Sequence, residues 1–373
     1  MQKHTLKKLQ LFQFKGYSTI ELSFQTGFVC FLGKNGSGKT NLLDAIHSLS
    51  LCKSYFSSID QNSIQFNTEQ GSVVGDYLVD DENVRIAYQL FKSKKKSVSK
   101  NGKAYDKLAS HIGYLPLVVV TPYDVDLIRE GSEIRRKWLD QCLSQTNNNY
   151  LQSLIQYNKV LDQRNALLKN QRMHITDVKE LLSVYDSKLV ELGNFIHGVR
   201  KQFFIQFTPL FHSIFEQIGE PNEAPNLVYE SDLNEFSFAS LLDQTLQKDI
   251  YAERTTVGVH KDDIGFELQA QPVKKFASQG QQKTYLLALK LAQFEYTKKQ
   301  LDKEPFLLLD DIAEKLDEFR LKALFDWIAK HTQTQVFLSD TDVERIPNVL
   351  RELWVSFERI IIDQHAIQSH EKH

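Results

Sequence analysis

Apolar and polar residues follow different periods in different parts of the 373-residue chain. Near the start, the alternation predicts two strands around a turn at residues 15–17. Short alternating runs between residues 57 and 103 predict an antiparallel sheet with a hairpin turn at Asn101-Gly102. From residue 132 to about 219 the apolar positions fall at helical spacing, clearest in the seam Tyr185, Leu189, Leu192, Ile196 and Val199. The seam is too short for an extended coiled-coil arm, so it predicts a compact helical lobe.

Buried strands and helices alternate in the remaining segments. Apolar runs predict strands at 28–32, 117–120, 263–268, 306–309 and 335–338, the last of these being the final strand. Helical periodicity predicts helices at about 282–299 and 319–330. This order predicts an α/β fold with a mainly parallel sheet and an appended antiparallel sheet. We therefore expect a discontinuous lobe at residues 1–120 and 250–373, interrupted by the helical lobe at residues 121–249.

Composition narrows the class of protein. The chain is 42% hydrophobic and 25% charged, which is typical of a soluble protein with a large core, and its net charge of −2 predicts that any nucleic-acid binding comes from a local patch. Three cysteines without a Cys-x-x-Cys pair argue against a disulfide framework or a zinc site. No apolar run approaches the roughly 20 residues that span a bilayer. A cytoplasmic location without a membrane partner is expected.

A glycine-rich loop directly follows the apolar run at residues 28–32. It fits the pattern Gly-x-x-x-x-Gly-Lys-Ser/Thr, in which glycines take positive φ and turn backbone N–H groups toward a phosphate chain. The helix that follows adds the positive end of its dipole. Lys39 can reach the β- and γ-phosphates, and the Thr40 hydroxyl can bind Mg²⁺. The predicted phosphate cradle consists of Gly33, Lys34, Asn35, Gly36, Ser37, Gly38, Lys39 and Thr40.

Two carboxylates follow the apolar run at residues 306–309. The end of a buried strand beside a phosphate loop is where a magnesium-binding acid belongs, so Asp310 is predicted to contribute to the metal shell. Asp311 can orient or deprotonate the attacking water. A surface turn is the alternative for this pair.

A second phosphate-seeking segment, Ser278, Gln279, Gly280 and Gln281, precedes the helix predicted at about 282–299. Serine and glycine at a helix N-terminus can coordinate phosphate through a hydroxyl group, N–H groups and the helix dipole. Because the cradle already occupies one face of its own nucleotide, this second helix end suggests contact with the nucleotide of another copy. It predicts a homodimer with nucleotides sandwiched between the chains.

Several motifs, in this order and almost end to end, resemble the RecF family, whose members are ATPases related to ABC and SMC proteins. The matching segments are residues 33–46, 135–140, 161–168, 260–263, 278–283 and 308–311. The resemblance implies an ABC/SMC-like P-loop ATPase head with ATP and Mg²⁺ as cofactors. It makes Lys39, Asp310 and Asp311 catalytic, residues 278–283 a signature motif acting across the dimer, and Asp317 a residue of the dimer seam.

The resemblance also implies a task. It indicates an ATP-dependent clamp on duplex or gapped DNA in recombinational repair and replication-fork gap repair, with weak DNA-stimulated hydrolysis used as a switch. RecR and RecO are the implied partners, and loading of RecA is the implied outcome. Departures from the family pattern are Phe56 in place of a frequent arginine, Val259 where proline is expected, and Ala313 in place of an aromatic residue.

Basic residues offer candidates for DNA contact. Lysines cluster around the hairpin turn at Asn101-Gly102, and arginines lie on predicted helices; a solvated or salt-bridged surface is the alternative for both. The DNA-binding candidates are Lys94, Lys95, Lys96, Arg135 and Arg136. His260 is either a nucleotide or interlobe contact or a structural turn residue.

Two other functional classes remain open. A transporter-type ABC ATPase is disfavoured because the strand at residues 335–338 ends in Ser339-Asp340-Thr341 and lacks the switch histidine common in transporters. The predicted helical lobe is also larger than transport modules carry. A nucleotide-sensing scaffold without turnover is the third hypothesis.

Overall fold

The computed structural model describes residues 3–25, 27–169, 175–220, 223–314 and 316–373, without the side chains of residues 175–178 and 314. The chain divides into two compact units. The first unit comprises Met1–Asp124 and Lys283–His373, and the second comprises Val125–Gln282.

Runs of strands and runs of helices follow one another along the chain, and the strands predicted at residues 28–32, 117–120, 263–268, 306–309 and 335–338 are all present. The strands are β1 (His4–Phe14), β2 (Tyr17–Ser23), β3 (Phe28–Leu32), β4 (Gln70–Val79), β5 (Glu82–Phe91), β6 (Ser97–Lys100), β7 (Lys103–Ala104), β8 (Leu117–Val120), β9 (Pro225–Glu230), β10 (Asp263–Leu268), β11 (Gln271–Pro272), β12 (Phe306–Leu309), β13 (Val336–Asp340), β14 (Phe357–Asp363) and β15 (Ala366–Lys372). The helices are α1 (Lys39–Leu51), α2 (Asp126–Arg129), α3 (Ser132–Thr146), α4 (Asn148–Leu168), α5 (Ile175–Ile218), α6 (Phe238–Gln244), α7 (Leu246–Ala252), α8 (Val273–Phe276), α9 (Gln279–Leu301), α10 (Glu318–His331) and α11 (Arg345–Glu352).

The first unit is built on a mainly parallel sheet with the strand order β15-β14-β3-β13-β12-β8. Its central strands β3, β12 and β13 are continuously buried, as expected for strands covered on both faces. They run parallel to one another, so their carboxyl ends meet at one edge of the sheet. Only β15 joins the sheet in the antiparallel direction. This edge is where the predicted phosphate loop and the two carboxylates come together.

An antiparallel sheet with the order β2-β1-β4-β5-β6-β7 covers the same core. One face of β4 is buried at every second position, and β1 follows the same alternation apart from shifts of one residue, which is the pattern of a sheet with one side packed and one side exposed. Its apolar side chains share a single cluster with α1 and with residues of the parallel sheet, for example through the edge-to-face contact of Phe24 with Phe337 at 5.4 Å. The appended antiparallel sheet is thereby confirmed.

The second unit is predominantly helical, with a small sheet of order β11-β10-β9. Its α5 helix runs for 44 residues and continues through Pro209. Two fully buried arginines tie its elements together. Arg164 forms ion pairs with Asp186 and Asp249 at 2.6 and 2.7 Å, and Arg200 pairs with Asp140 and Asp262 at 2.8 and 2.6 Å. Buried pairs of this kind are costly to break, because removal of one partner leaves a buried charge behind.

Two expectations from the sequence differ from the structure. The strand predicted at residues 335–338 is not the last one, since β14 and β15 follow it and enlarge the sheet. The helical lobe was expected to end at residue 249, whereas the second unit extends to Gln282. The reason is that β10 pairs with β9. In addition, the buried Arg164 of α4 binds Asp249, and the buried Arg200 of α5 binds Asp262.

In the described segments, none of the helices combines the length and the apolar character that crossing a membrane requires.

Candidate functional site

The phosphate loop connects β3 to α1 and depends on glycine at three positions. The φ angles of Gly33, Gly36 and Gly38 are 148°, 77° and 112°, in the left-handed region that residues with a side chain rarely adopt. The N–H group of Gly33 donates to the carbonyl oxygen of Asp340 at 3.2 Å, which fixes the start of the loop to the end of β13. Because α1 begins at Lys39, the positive end of its dipole adds to the N–H groups of the loop.

Neighbouring backbone and side chains approach the loop so closely that a larger residue would not fit. A Cβ atom on Gly33 would lie 2.1 Å from the carbonyl oxygen of Ile362 in β14. A Cβ atom on Gly38 would lie 2.6 Å from the hydroxyl oxygen of Tyr17, which donates a hydrogen bond to the Gly38 carbonyl at 3.2 Å. The conformation of the loop is therefore set by contacts from both ends of the chain.

His365, at the tip of the hairpin between β14 and β15, also holds the loop. Its N–H group donates to the carbonyl oxygen of Ser37 at 2.9 Å, and its ring lies edge-to-face against Tyr17 with 5.2 Å between the ring centroids. The sequence analysis missed both residues as parts of the site. The turn predicted at residues 15–17 is the one hint of Tyr17 in the sequence. The contact with His365 has no such hint, because no local motif links that turn to the C-terminal strands.

Lys39 lies inside the loop, with only 4% of its surface exposed. Its ammonium group donates to the carbonyl oxygens of Gly33 at 2.8 Å and of Lys34 at 3.1 Å. It has no ion pair with a carboxylate among the described residues. A buried cation without a direct ion pair is suited to an anionic ligand such as a phosphate chain.

Thr40 and Asp310 meet although 270 positions separate them in the sequence. The Thr40 hydroxyl donates to Asp310 Oδ1 at 2.9 Å, because β3 and β12 end at the same edge of the sheet. Burial raises the pKa of the Asp310 carboxyl, against the opposing effect of hydrogen bonds from Ser339 and Thr40. A cation bound at this point would stabilise the charged form that burial disfavours.

The oxygen atoms of Thr40 and Asp310 fit Mg²⁺. This ion prefers oxygen ligands, and in nucleotide sites it is held by one or two side chains together with phosphates and water. In the parts of the chain that the structure describes, no group of three or more His, Cys, Asp or Glu side chains forms a metal site of its own. The arrangement therefore suits an ion that arrives with a nucleotide.

Ser339, at the end of β13, connects the two predicted carboxylates. Its hydroxyl donates to Asp310 Oδ1 at 2.7 Å and accepts a hydrogen bond from the N–H group of Asp311 at 2.9 Å. Ser339 is completely buried. Asp311 has a positive φ of 46°, a strained conformation that the Ser339 contact holds in place. The sequence analysis considered Ser339 only as part of a segment without histidine, so it missed this role.

The segment with Ser278 belongs to the second unit and forms the exposed start of α9. The Ser278 hydroxyl accepts from the N–H group of Gln281 at 3.2 Å, and the Gln281 side chain accepts from the N–H group of Ser278 at 2.8 Å. This reciprocal pair is a capping box, which fixes the N-terminus of α9 and engages two of its backbone N–H donors. Gln281 also donates to Glu223 at 2.8 Å. Gln279 is exposed, and Gly280 is half-buried.

The lysines proposed for DNA contact differ in their surroundings. Lys94 lies over the ring of Phe91, with 3.9 Å between the ammonium nitrogen and the ring centroid. Lys96 forms an ion pair with Asp60 at 2.7 Å. Lys95 is exposed and has neither kind of contact with the residues that the structure describes. Lys95 is consequently the member of the cluster most available to a phosphate group.

Arg135 and Arg136 both bind within the second unit. Arg135 donates to both carboxylate oxygens of Asp263 at 2.7 and 2.8 Å, and to two backbone carbonyls. Arg136 donates to the carbonyl oxygen of Asp262 at 2.7 Å. These contacts favour a structural role for Arg135 and leave most of the Arg136 guanidinium available.

Two other candidate residues have local structural contacts. Asp317 caps α10 by accepting a hydrogen bond from the N–H group of Arg320 at 2.9 Å. His260 contacts the Tyr157 hydroxyl at 2.8 Å through Nδ1 and the Thr255 carbonyl at 3.1 Å through Nε2. Burial lowers the pKa of His260 to about 4, so the ring is neutral: it donates to Thr255 and accepts from Tyr157. The two His260 contacts are those expected of a structural turn residue, and the Asp317 contact is that of a helix cap.

Comparisons with known proteins agree with this geometry. The family model described as RecF/RecN/SMC N terminal domain matches residues 5–355. The DNA replication and repair protein RecF of Flavobacterium johnsoniae is 44% identical over 346 residues, which cover 93% of this chain and 96% of that protein. The RecF protein of Cytophaga hutchinsonii is 38% identical over 363 residues, covering 97% of this chain and 96% of its own.

Solved structures show the same fold. The recombination mediator protein RecF with ATP, of the RecFOR pathway, superposes with a TM-score of 0.87 at 27% identity and covers 99% of this chain and 98% of its own. An Smc head domain from Pyrococcus furiosus matches with a TM-score of 0.57 at 16% identity, over 100% of this chain and 96% of its own, and shows the fold alone. The expected ABC/SMC-like ATPase head with a helical lobe is thus confirmed. The chain belongs to the RecF family of the RecF/RecN/SMC group.

Proposed function

We propose that this chain is an ATP-dependent DNA-binding protein of recombinational repair and replication-fork gap repair, with weak DNA-stimulated hydrolysis used as a switch. Its relatives are named as DNA replication and repair proteins, and the RecF structure with ATP is of the RecFOR pathway. The observation that carries the proposal is the joining of Lys39, Thr40, Asp310 and Asp311 at one edge of the parallel sheet.

Each of these residues has a separate task in hydrolysis. Lys39 and the loop N–H groups bind the β- and γ-phosphates and stabilise the charge that develops there. Thr40 and Asp310 hold Mg²⁺, which neutralises phosphate charge when bound. Asp311 orients or deprotonates the attacking water. Because Asp311 is one methylene shorter than the glutamate usual in ABC transporters, it reaches less far and turnover is slow.

A second copy of the chain completes the site. The Ser278 capping box is exposed and presents the N-terminus of α9, a group that binds phosphate through N–H groups and the helix dipole. ATP binding then drives two chains together with the nucleotides between them, and the closed dimer clamps duplex or gapped DNA. Hydrolysis releases the clamp. RecO and RecR are the partners in this proposal, and RecA is the recombinase that the complex helps to load.

A transporter-type ATPase, the alternative hypothesis, is not favoured. The relatives of this chain are named as DNA replication and repair proteins. The segment Ser339-Asp340-Thr341 has no histidine, and Ser339 instead binds Asp310 and Asp311. We therefore place the chemistry in DNA repair.

The dimer is tested by placing a negative charge at the tip of α9. Ser278→Asp retains a good helix cap but repels a triphosphate, so the variant is expected to bind ATP with normal affinity and to remain monomeric with ATP and Mg²⁺ in sedimentation velocity. The matched control is Ser237→Asp, since Ser237 is an exposed serine that caps α6 through an equal 3.2 Å hydrogen bond. Mixing Ser278→Asp chains with Lys39→Ala chains should restore dimers with one intact site. Wild-type protein that stays monomeric with ATP and Mg²⁺ at every concentration, with and without DNA, would overturn the proposal.

The lysine cluster is tested through the salt dependence of DNA binding. Reversing Lys94, Lys95 and Lys96 to glutamate is expected to weaken binding and to flatten the log–log salt slope by roughly one unit per lost phosphate contact. Lys95→Gln alone should account for about one contact, because Lys95 is unpaired, whereas Lys96→Gln should change little, because Lys96 is bound to Asp60. An unchanged slope in the triple variant would make the cluster an ordinary solvated surface.

A further inference from the structure

A polar pocket of about 220 Å³ lies within the second unit, and no step of the proposed ATPase uses it. Its walls come from α3, α4 and α5 and from the turn before β10. Its charged lining consists of Glu133, Arg136, Lys137, Asp140 and Arg200, and its other polar lining of Tyr157, Asn158 and His260. The volume is sufficient for a phosphate group together with its neighbouring atoms or a few water molecules.

Most of the charges around this pocket are neutralised by one another. Lys137 pairs with Glu133 at 2.7 Å, and the buried Arg200 pairs with Asp140 at 2.8 Å. Arg136 is different, since it forms no ion pair within the described chain and the hydrogen bond described for it is the donation of one N–H to the Asp262 carbonyl. The charges of Asp262, Asp263 and Asp140 act on it from nearby. A guanidinium group carries five N–H donors, so most of its capacity is left for a ligand.

Two further cations strengthen the positive character of this region. Lys261 and Arg254 are exposed and have no ion pair among the described residues. Partial burial and the positive charges of Arg254 and Arg136 lower the pKa of the Lys261 ammonium, against the opposing effect of the Asp249 carboxylate. An anion bound among them would oppose this lowering.

The neutral members of the pocket limit the kind of ligand. The Tyr157 hydroxyl donates to His260 and is therefore not free to donate to a ligand, and the His260 ring is neutral with both nitrogens bound. Asn158 is exposed at the pocket wall, and its amide can donate. The donors left for a ligand are thus those of the Arg136 guanidinium and the Asn158 amide, together with the N–H groups of Lys137 that Glu133 does not bind.

We infer that this pocket of the second unit is an oxyanion site in which Arg136 binds a phosphate group through its forked N–H donors and Asn158 donates a further hydrogen bond. Guanidinium groups bind phosphate in this bidentate way. The phosphate comes either from a small free anion or from the backbone of nucleic acid. The second source rests on the proposed DNA-binding function, whereas the first does not.

Inorganic phosphate is the first probe, used with the full-length chain carrying Lys39→Ala so that the loop at residues 33–40 does not bind it. At constant ionic strength, phosphate should raise the unfolding temperature, because a ligand that binds only the folded state stabilises it. Arg136→Gln should abolish this rise, and Arg136→Lys should weaken phosphate binding by about tenfold, since the fork is lost while the charge stays. The matched control is Arg129→Gln, which removes an exposed arginine that does not line the pocket.

Asn158→Asp provides a test that leaves Arg136 intact. The exposed position tolerates the nearly isosteric change, and the new carboxylate should repel phosphate and abolish its effect. The absence of any phosphate effect, or an effect that persists in both Arg136→Gln and Asn158→Asp, would overturn the oxyanion site.

The second probe is a DNA duplex, which distinguishes the two sources. If the site binds the nucleic-acid backbone, Arg136→Gln lowers the log–log salt slope by about one, and Arg129→Gln does not. If phosphate binding is lost in Arg136→Gln while the slope is unchanged, the site binds a small free anion. A chain that binds no DNA would refute the proposed function, yet the phosphate measurement would still decide the oxyanion site.

Discussion

Replacing Lys39 by alanine is expected to abolish ATP-driven dimerisation and to reduce hydrolysis by more than about a hundredfold, the loss typical of removing one transition-state donor. The structure gives the reason. The ammonium group is buried inside the phosphate loop, where it binds two backbone carbonyls and has no carboxylate partner in the described chain. Its charge is thus not taken up by an ion pair in the described chain and is available to a phosphate chain. The measurements are Mg-ATP affinity by calorimetry and phosphate release at saturating ATP.

Folding must be separated from ligand binding in this experiment. Removing Lys39 deprives two carbonyl groups of a donor, but it also removes a buried unpaired charge, and these effects on stability oppose each other. We therefore expect the unfolding temperature without nucleotide to change little. Lys7→Ala, which removes an exposed lysine from β1, is the control for general effects of lysine removal. Mg-ATP affinity of Lys39→Ala within about threefold of the wild type, a difference of less than 1 kcal/mol, would contradict the role of Lys39.

The parts of the site that could be predicted are those encoded in contiguous segments. The phosphate loop, the strand before Asp310 and the helix after Ser278 each join a periodic pattern to residues with a known chemical task. The meeting of the phosphate loop with Asp310 at one sheet edge follows from the parallel order of the strands. Local sequence therefore indicates both the pieces and the edge at which they join.

The missed residues act through contacts between distant parts of the chain. Tyr17 and His365 meet across nearly the whole sequence, and Ser339 binds the Asp310 carboxylate and the Asp311 N–H group just after the neighbouring strand β12. The hairpin that carries His365 gave no turn signal, because Gln364 and His365 adopt φ values of 46° and 62° without the glycine or asparagine that usually marks such a turn. Hydrophobic periodicity contains no information of this kind.

The extent of the second unit was missed for a similar reason. The sequence pattern after residue 249 predicts that the chain rejoins the α/β lobe, because β10 has the alternation of an ordinary strand. In the structure β10 pairs with β9, and Asp262 just before it is bound by the buried Arg200. A buried ion pair between residues 62 positions apart decides which unit the segment joins, and no periodic pattern marks it.

Asp311→Asn is expected to trap the ATP-bound dimer on DNA. The change keeps the size of the side chain, and asparagine tolerates the left-handed backbone that Asp311 adopts, so the hydrogen bond from its N–H group to Ser339 should persist. What is lost is the carboxylate that orients or deprotonates water, a contribution of about 10²- to 10⁴-fold. ATP binding through Lys39 and the metal shell of Asp310 should remain. Dimerisation should therefore proceed while release stops.

Single-turnover hydrolysis measures the expected loss of the chemical step, and DNA dissociation measures the expected loss of release. Asp311→Asn should slow phosphate release by at least about a hundredfold and prolong the lifetime of the DNA complex with ATP and Mg²⁺, while Mg-ATP affinity stays the same. Asp81→Asn is the matched control, since Asp81 is an exposed aspartate with a similar positive φ of 65° far from the sheet edge in sequence. A hydrolysis rate like that of the wild type would remove Asp311 from the chemical step. Slow hydrolysis without a longer-lived DNA complex would instead show that hydrolysis does not time release, and the clamp cycle would have to be driven by nucleotide exchange.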